Sequence, residues 1–271
     1  VKKVRVGDTD ICYEILGTGP PLVMIMGLTA NIDWWSPQLI DDLANRYRVL
    51  IFDNRGSGRT EAPPGEFTIK QFADDTAGLI EAVGIKKANV LGVSMGGMIA
   101  QELAINHPRK VDKLILCATN CGGKESIYPP REILMKLVDR GGTTREVFER
   151  VLSLMFPQDW LDSNRDFLDA FFQRYIRAPA TEENALRQFV ATARFQTYER
   201  LPKIKAPTLV MTGKKDVLIP PENSRIIASR IPGAKLVEFE DAGHGFIYQC
   251  REKFLSVLEE FLSETKNTFR E

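Results

Sequence analysis

Four short apolar runs, Leu22 to Met26, Val49 to Phe52, Asn89 to Val93 and Lys113 to Cys117, are each separated from the next by stretches with room for a helix. Runs this short and this rich in β-branched residues read as strands covered on both faces, and parallel neighbours of that kind need a crossover between them. Trp35 to Asn45, Ile69 to Val83 and Met95 to Asn106 supply helical spacing at those places. Two further strands, Lys2 to Val6 and Ile11 to Leu16, precede the series. The expected fold class is α/β, with a mostly parallel central sheet flanked by helices.

The alternation stops after Asn120. About 80 residues then read as helices: Arg131 to Arg140, Thr144 to Met155, Trp160 to Ile176 and Thr181 to Tyr198. Gly122-Gly123 and Pro129-Pro130 punctuate the start of this stretch and Leu201-Pro202 its end. Strand and helix alternate again through Thr208 to Met211, Glu222 to Ile231, Leu236 to Glu240 and Phe246 to Ser263. The expected organisation is therefore a core of residues 1–120 and 203–271, about eight strands in all, with 121–202 inserted as a helical cap.

Composition narrows the function classes. Lys plus Arg and Asp plus Glu both number 36, a formal net charge of zero, and no stretch concentrates the basic residues. Neither a nucleic acid nor an anionic membrane is an expected partner. The N-terminal residues alternate charge with Val rather than forming a signal-like apolar stretch, and Leu22 to Met26 with Leu28 is too short to span a bilayer. A cytoplasmic protein is the expectation. Four cysteines, of which only Cys117 and Cys121 are close in sequence, read as buried thiols, and two histidines cannot make a zinc cluster. No metal and no cofactor are expected.

Gly92-Val93-Ser94-Met95-Gly96 satisfies G-x-S-x-G where a strand runs directly into Ser94 and a helix starts directly after it. Such an elbow exposes a nucleophile, and the flanking glycines fit where a Cβ would clash. The plainer alternative is a helix-capping serine. A serine nucleophile needs a base and the base an orienting carboxylate. His107 sits at the far end of the helix after Ser94, about 18 Å away at 1.5 Å per residue. His244, in Asp241-Ala242-Gly243-His244-Gly245, follows a strand where the glycines permit a sharp loop over the sheet edge that also carries Ser94. Asp216 follows the preceding strand at the same edge and is the favoured acid; Asp241 competes but suits a turn-capping role. Asp53-Asn54-Arg55-Gly56-Ser57-Gly58 lacks the glycine spacing of a phosphate loop and reads as a structural turn.

With the order Ser94, Asp216, His244, the chain resembles the α/β-hydrolase fold superfamily in its cofactor-free serine esterase-like branch, which includes carboxylesterases and enol-lactonases. The carriers are Gly92 to Met98, Asp53 to Gly58, Gly213 to Asp216 with Pro220, and Gly243-His244-Gly245. The resemblance implies an oxyanion hole from the backbone N–H groups of Met95 and Leu28, in a loop that reads Met26-Gly27 where many relatives have His-Gly. It also implies acyl transfer through Ser94, with a small-molecule carboxylic ester as the leading substrate. Lactone, thioester and perhydrolase chemistry would use the same triad, and a ligand receptor with slow turnover would retain it. Aspartate-nucleophile dehalogenases and epoxide hydrolases do not fit Ser94. Core packing is the expectation for Trp34 and Trp35. Phe156, Trp160, Phe167, Phe171, Phe172, Tyr175, Phe189 and Phe195 are expected to pack the cap, some of them walling a pocket for small to medium acyl groups.

Overall fold

The computed structural model describes residues 1–264, so the last part of the expected core, 265–271, lies outside the described residues. One sheet holds β1 (Lys2–Val6), β2 (Thr9–Leu16), β3 (Pro21–Ile25), β4 (Arg48–Phe52), β5 (Ala88–Val93), β6 (Val111–Cys117), β7 (Thr208–Gly213) and β8 (Lys235–Phe239). Their spatial order is β1-β2-β4-β3-β5-β6-β7-β8. The β1–β2 and β2–β4 pairings are antiparallel; all others are parallel. The α/β class and the mostly parallel sheet follow the expectation.

The core helices are α1 (Pro37–Ala44), α2 (Ile69–Ala82) and α3 (Met95–Asn106). Between β6 and β7 come α4 (Arg131–Val138), α5 (Thr144–Met155), α6 (Gln158–Ser163), α7 (Arg165–Tyr175) and α8 (Glu182–Ala193). After β7 follow α9 (Glu222–Arg230), α10 (Phe246–Gln249) and α11 (Arg251–Ser263). Strand alternation sorts the core into two layers. Leu22 and Met24 of β3 pack with α1 and α11 on one face, while Val23 and Ile25 pack with α2, α3 and α9 on the other. β5 lies centrally, between β3 and β6, and all six of its residues are buried.

Local chemistry moves several element ends from their expected places. Ser36 caps α1 by accepting from Leu39 N, with Pro37 in the first turn, so the helix begins after Trp35. The stretch Trp160 to Ile176 is two helices because Asn164 leaves helical geometry and its Nδ2 takes the Trp160 carbonyl at 2.8 Å. That carbonyl is the one an unbroken helix would pair with the Asn164 N–H. The final helix also breaks, at Cys250, where the backbone leaves helical geometry (φ −120°, ψ 39°). α8 stops at Ala193 rather than Tyr198, because Gln196 bridges to Gly122 and Thr197 N donates to Cys121 O at 2.7 Å. These bonds clasp the two ends of the inserted segment together beside β6. All four thiols are free. Among the described residues no helix is long and apolar enough to cross a membrane.

Candidate active site

β5 delivers Ser94 into a turn with φ 57° and ψ −119°, a region that strains a residue bearing a Cβ. Hydrogen bonds of its backbone hold it there, among them one from Met98 N to the Ser94 carbonyl at 3.3 Å. Ser94 N donates to Cys117 O at 2.9 Å, and the Ser94 carbonyl accepts from Gly97 N at 2.9 Å and from Thr119 Oγ1 at 2.7 Å. The surrounding glycines give room for close approach. A Cβ on Gly92 would meet the Gly96 carbonyl, one on Gly96 the Ile25 carbonyl, and one on Gly97 the Thr119 side chain at 2.6 Å.

Ser94 faces a cavity of about 230 Å³ that His244 also lines. Asp216 stands behind His244. Its Oδ2 lies 2.7 Å from His244 Nδ1, while Oδ1 accepts from Leu218 N and Ile219 N, both at 2.9 Å. The Asp216 side chain is 0% exposed and that of His244 7%. This bond puts the ring hydrogen on Nδ1, leaving the Nε2 lone pair free to act as a base. Among the described residues the Ser94 hydroxyl makes no hydrogen bond to the ring. Asp241 is elsewhere: it is 89% exposed and pairs with Lys215 at 3.0 Å. His107 Nε2 meets Asp74 Oδ1 at 2.8 Å, outside the cavity.

The glycines flanking His244 serve a purpose different from the expected sharp loop. Neither adopts positive φ. A Cβ on Gly243 would lie 2.7 Å from the Met155 carbonyl, and one on Gly245 would enter the Phe156 ring. Gly245 N also donates to Met155 O at 2.9 Å. The C-terminal end of α5 thus rests directly on the histidine loop.

Leu28 and Met95 both line the cavity, and neither backbone N–H has an acceptor among the described residues. The loop carrying Leu28 is fixed by side chains that the sequence did not single out for this role. Asn54 Nδ2 donates to Met26 O at 3.0 Å. Gln188, fully buried on α8, accepts from Thr29 N through Oε1 at 2.7 Å, and its Nε2 donates to Arg55 O at 3.0 Å and Ser57 Oγ at 2.9 Å. A glutamine between apolar positions of an amphipathic helix was the available signal. Asp53 and Arg55 secure the neighbouring turn: Asp53 accepts from Ile32 N and Arg59 N, and Arg55 makes a two-pronged contact with Asp75. Burial raises the Asp53 and Asp75 carboxyls above the ordinary range.

Gln188→Leu should therefore loosen this loop. We expect kcat on whatever substrate this site turns over to fall about tenfold or more with KM little changed, because stranding a buried donor costs about 1–3 kcal/mol. Thermal unfolding should shift down by several degrees. Steady-state kinetics and a thermal melt of the variant check both.

The cavity wall takes only a few of the expected aromatics. Of the eight aromatic residues expected to pack the inserted segment, only Tyr175 and Phe189 line it. Phe156, Trp160, Phe167 and Phe171 instead form a cluster that reaches Tyr248, with ring centroids 4.5–6.4 Å apart. Trp34 both packs on Phe171 at 5.2 Å and lines the cavity. Most of the wall is aliphatic or thioether, including Met26, Met95, Met98 and Met155. Such a wall adapts to its occupant.

A profile of the alpha/beta hydrolase fold matches residues 20–249. The chain belongs to the α/β-hydrolase family. Over 261 residues it is 31% identical to a protein of Azorhizobium caulinodans named "Putative carbamate hydrolase RutD", covering 95% of this chain and 97% of the relative. The enol-lactonase of Burkholderia xenovorans LB400 superposes with a TM-score of 0.85 at 29% identity, over 97% of this chain and 100% of that one. The esterase EaEST of Exiguobacterium antarcticum gives 0.86 at 26% identity, over 97% and 99%. This α/β-hydrolase is thus similar throughout its length to hydrolases that differ in the bond they are named for.

Proposed function

We propose that this hydrolase cleaves carboxylic esters of small to medium acyl groups, lactones among them, through an acyl-enzyme on Ser94. The observation that carries the reading is the buried Asp216–His244 pair, which opens into the same apolar cavity as a serine held on a strained elbow. His244 Nε2 takes the Ser94 proton as Oγ adds to the carbonyl carbon, and the oxyanion is received by the N–H groups of Leu28 and Met95. The tetrahedral adduct collapses as the imidazolium protonates the leaving alcohol. Water then repeats the sequence on the acyl-enzyme, releasing the acid and restoring the serine.

The cavity's size supports the acyl-length limit, since about 230 Å³ is below the usual range for drug-sized ligands. The reading takes a small molecule as the partner and the cytoplasm, where free thiols are the ordinary state, as the compartment. The name of the RutD relative makes carbamates the second class to test. A panel of oxygen esters of increasing acyl length, lactones, acyl thioesters and alkyl carbamates decides the matter by kcat/KM. We expect steady turnover, highest on oxygen esters or lactones and falling for long chains. A rise toward long chains with activation at a lipid surface, or a single burst without turnover, would overturn the proposal.

A further inference from the structure

Apart from His244, one ionisable basic side chain lines the cavity: Arg140, just beyond α4 and half-buried. Among the described residues it makes no hydrogen bond and no ion pair. The neighbouring acids are taken. Asp139 accepts from Gly141 N at 2.9 Å and pairs with Arg150 at 3.4 Å, while Glu146 accepts from Thr143 in the cap of α5. Arg150 also fixes the backbone on either side of Arg140, donating to Asp139 O at 3.0 Å and Gly141 O at 2.8 Å. The turn is therefore clamped while the guanidinium within it is left unpaired. Tyr175 lines the cavity close enough for the Arg140 charge to oppose the upward effect of burial on its phenol.

A half-buried cation beside apolar walls gives up part of its hydration with no protein group in its place, so an entering anion gains charge-assisted and geometrically matched hydrogen bonds. We infer that Arg140 forms an anion subsite of this cavity, and that the substrate joins its scissile group through an apolar arm to a carboxylate. The scissile group as an ester or lactone rests on the function proposed above; the subsite does not.

The test uses two unreactive probes of the same shape, 5-phenylpentanoate and its primary amide, titrated by calorimetry into the full chain. We expect the carboxylate to bind about tenfold to hundredfold more tightly than the amide, the range for hydrogen bonds to a charged group. The gap should narrow as salt is raised. Arg140→Leu should bring the two probes within about twofold of each other, while Arg140→Lys should keep part of the preference as a point charge. Continued amide binding by the variants reports an intact cavity. Equal affinities in the wild type, a preference that survives Arg140→Leu, or no carboxylate binding at millimolar concentration would each overturn the inference. Turnover of 4-nitrophenyl butanoate is followed alongside. Its absence with the carboxylate preference intact counts against the hydrolytic function alone.

Discussion

Ser94→Ala should lower ester hydrolysis by about 10⁴-fold or more while leaving the melting temperature within a few degrees of wild type. The loss is large because the proposed acyl-enzyme forms on the Ser94 hydroxyl. Substrate affinity should survive, since the walls that bind the acyl group are untouched. Stability is expected to hold for a separate reason: the hydroxyl packs no core, and the elbow's bonds run through the Ser94 backbone to Cys117, Thr119 and Gly97. A serine-directed phosphonate should label the wild type once and the variant not at all. Wild-type turnover by a clean Ser94→Ala preparation would end the nucleophile assignment.

Asp216→Asn should cost about 10³- to 10⁴-fold in kcat with little change in structure. The Asn side chain can still accept from Leu218 N and Ile219 N through its oxygen, so the loop keeps its shape. The amide nitrogen then faces His244 Nδ1, where a donor is wrong. The ring must turn its lone pair toward the amide and carry its hydrogen on Nε2, which disarms the base. Asp241→Asn is the control, expected to be near neutral because that carboxylate lies on the surface beside Lys215. Stopped-flow assays on an activated ester measure both variants; the acid assignment moves to Asp241 if their effects are exchanged.

The sheet was legible because its central parallel strands each carry a short apolar stretch, and β5 is buried at all six positions. Ser94 was legible because its strained turn needs glycines at fixed offsets, and offsets survive in sequence. Gly243 and Gly245 were noticed for the wrong reason. Their lack of a Cβ answers to Met155 and Phe156, about 90 positions earlier in the chain, and no local pattern encodes such a contact. Gln188 was missed likewise, since its partners Thr29, Arg55 and Ser57 lie more than 100 residues away. The break at Asn164 was in principle readable, because a side chain that competes for backbone bonds is a local property.

The contact between α5 and the His244 loop also separates admission of substrate from the chemistry. α5 through α7 are tied to that loop by Gly245 N on Met155 O and by the aromatic cluster around Tyr248, whose hydroxyl donates to Trp34 O at 2.9 Å. Lifting these helices away would disturb the His244 loop. α4, by contrast, contributes Leu134 and Leu137 to the cavity yet has no buried residue. It is held by the partly buried Ile133 and Leu137 and, beyond its end, by Arg150, so moving it disrupts fewer contacts than moving α5 to α7. An approach to the pocket past α4 would thus leave the Asp216–His244 contact undisturbed.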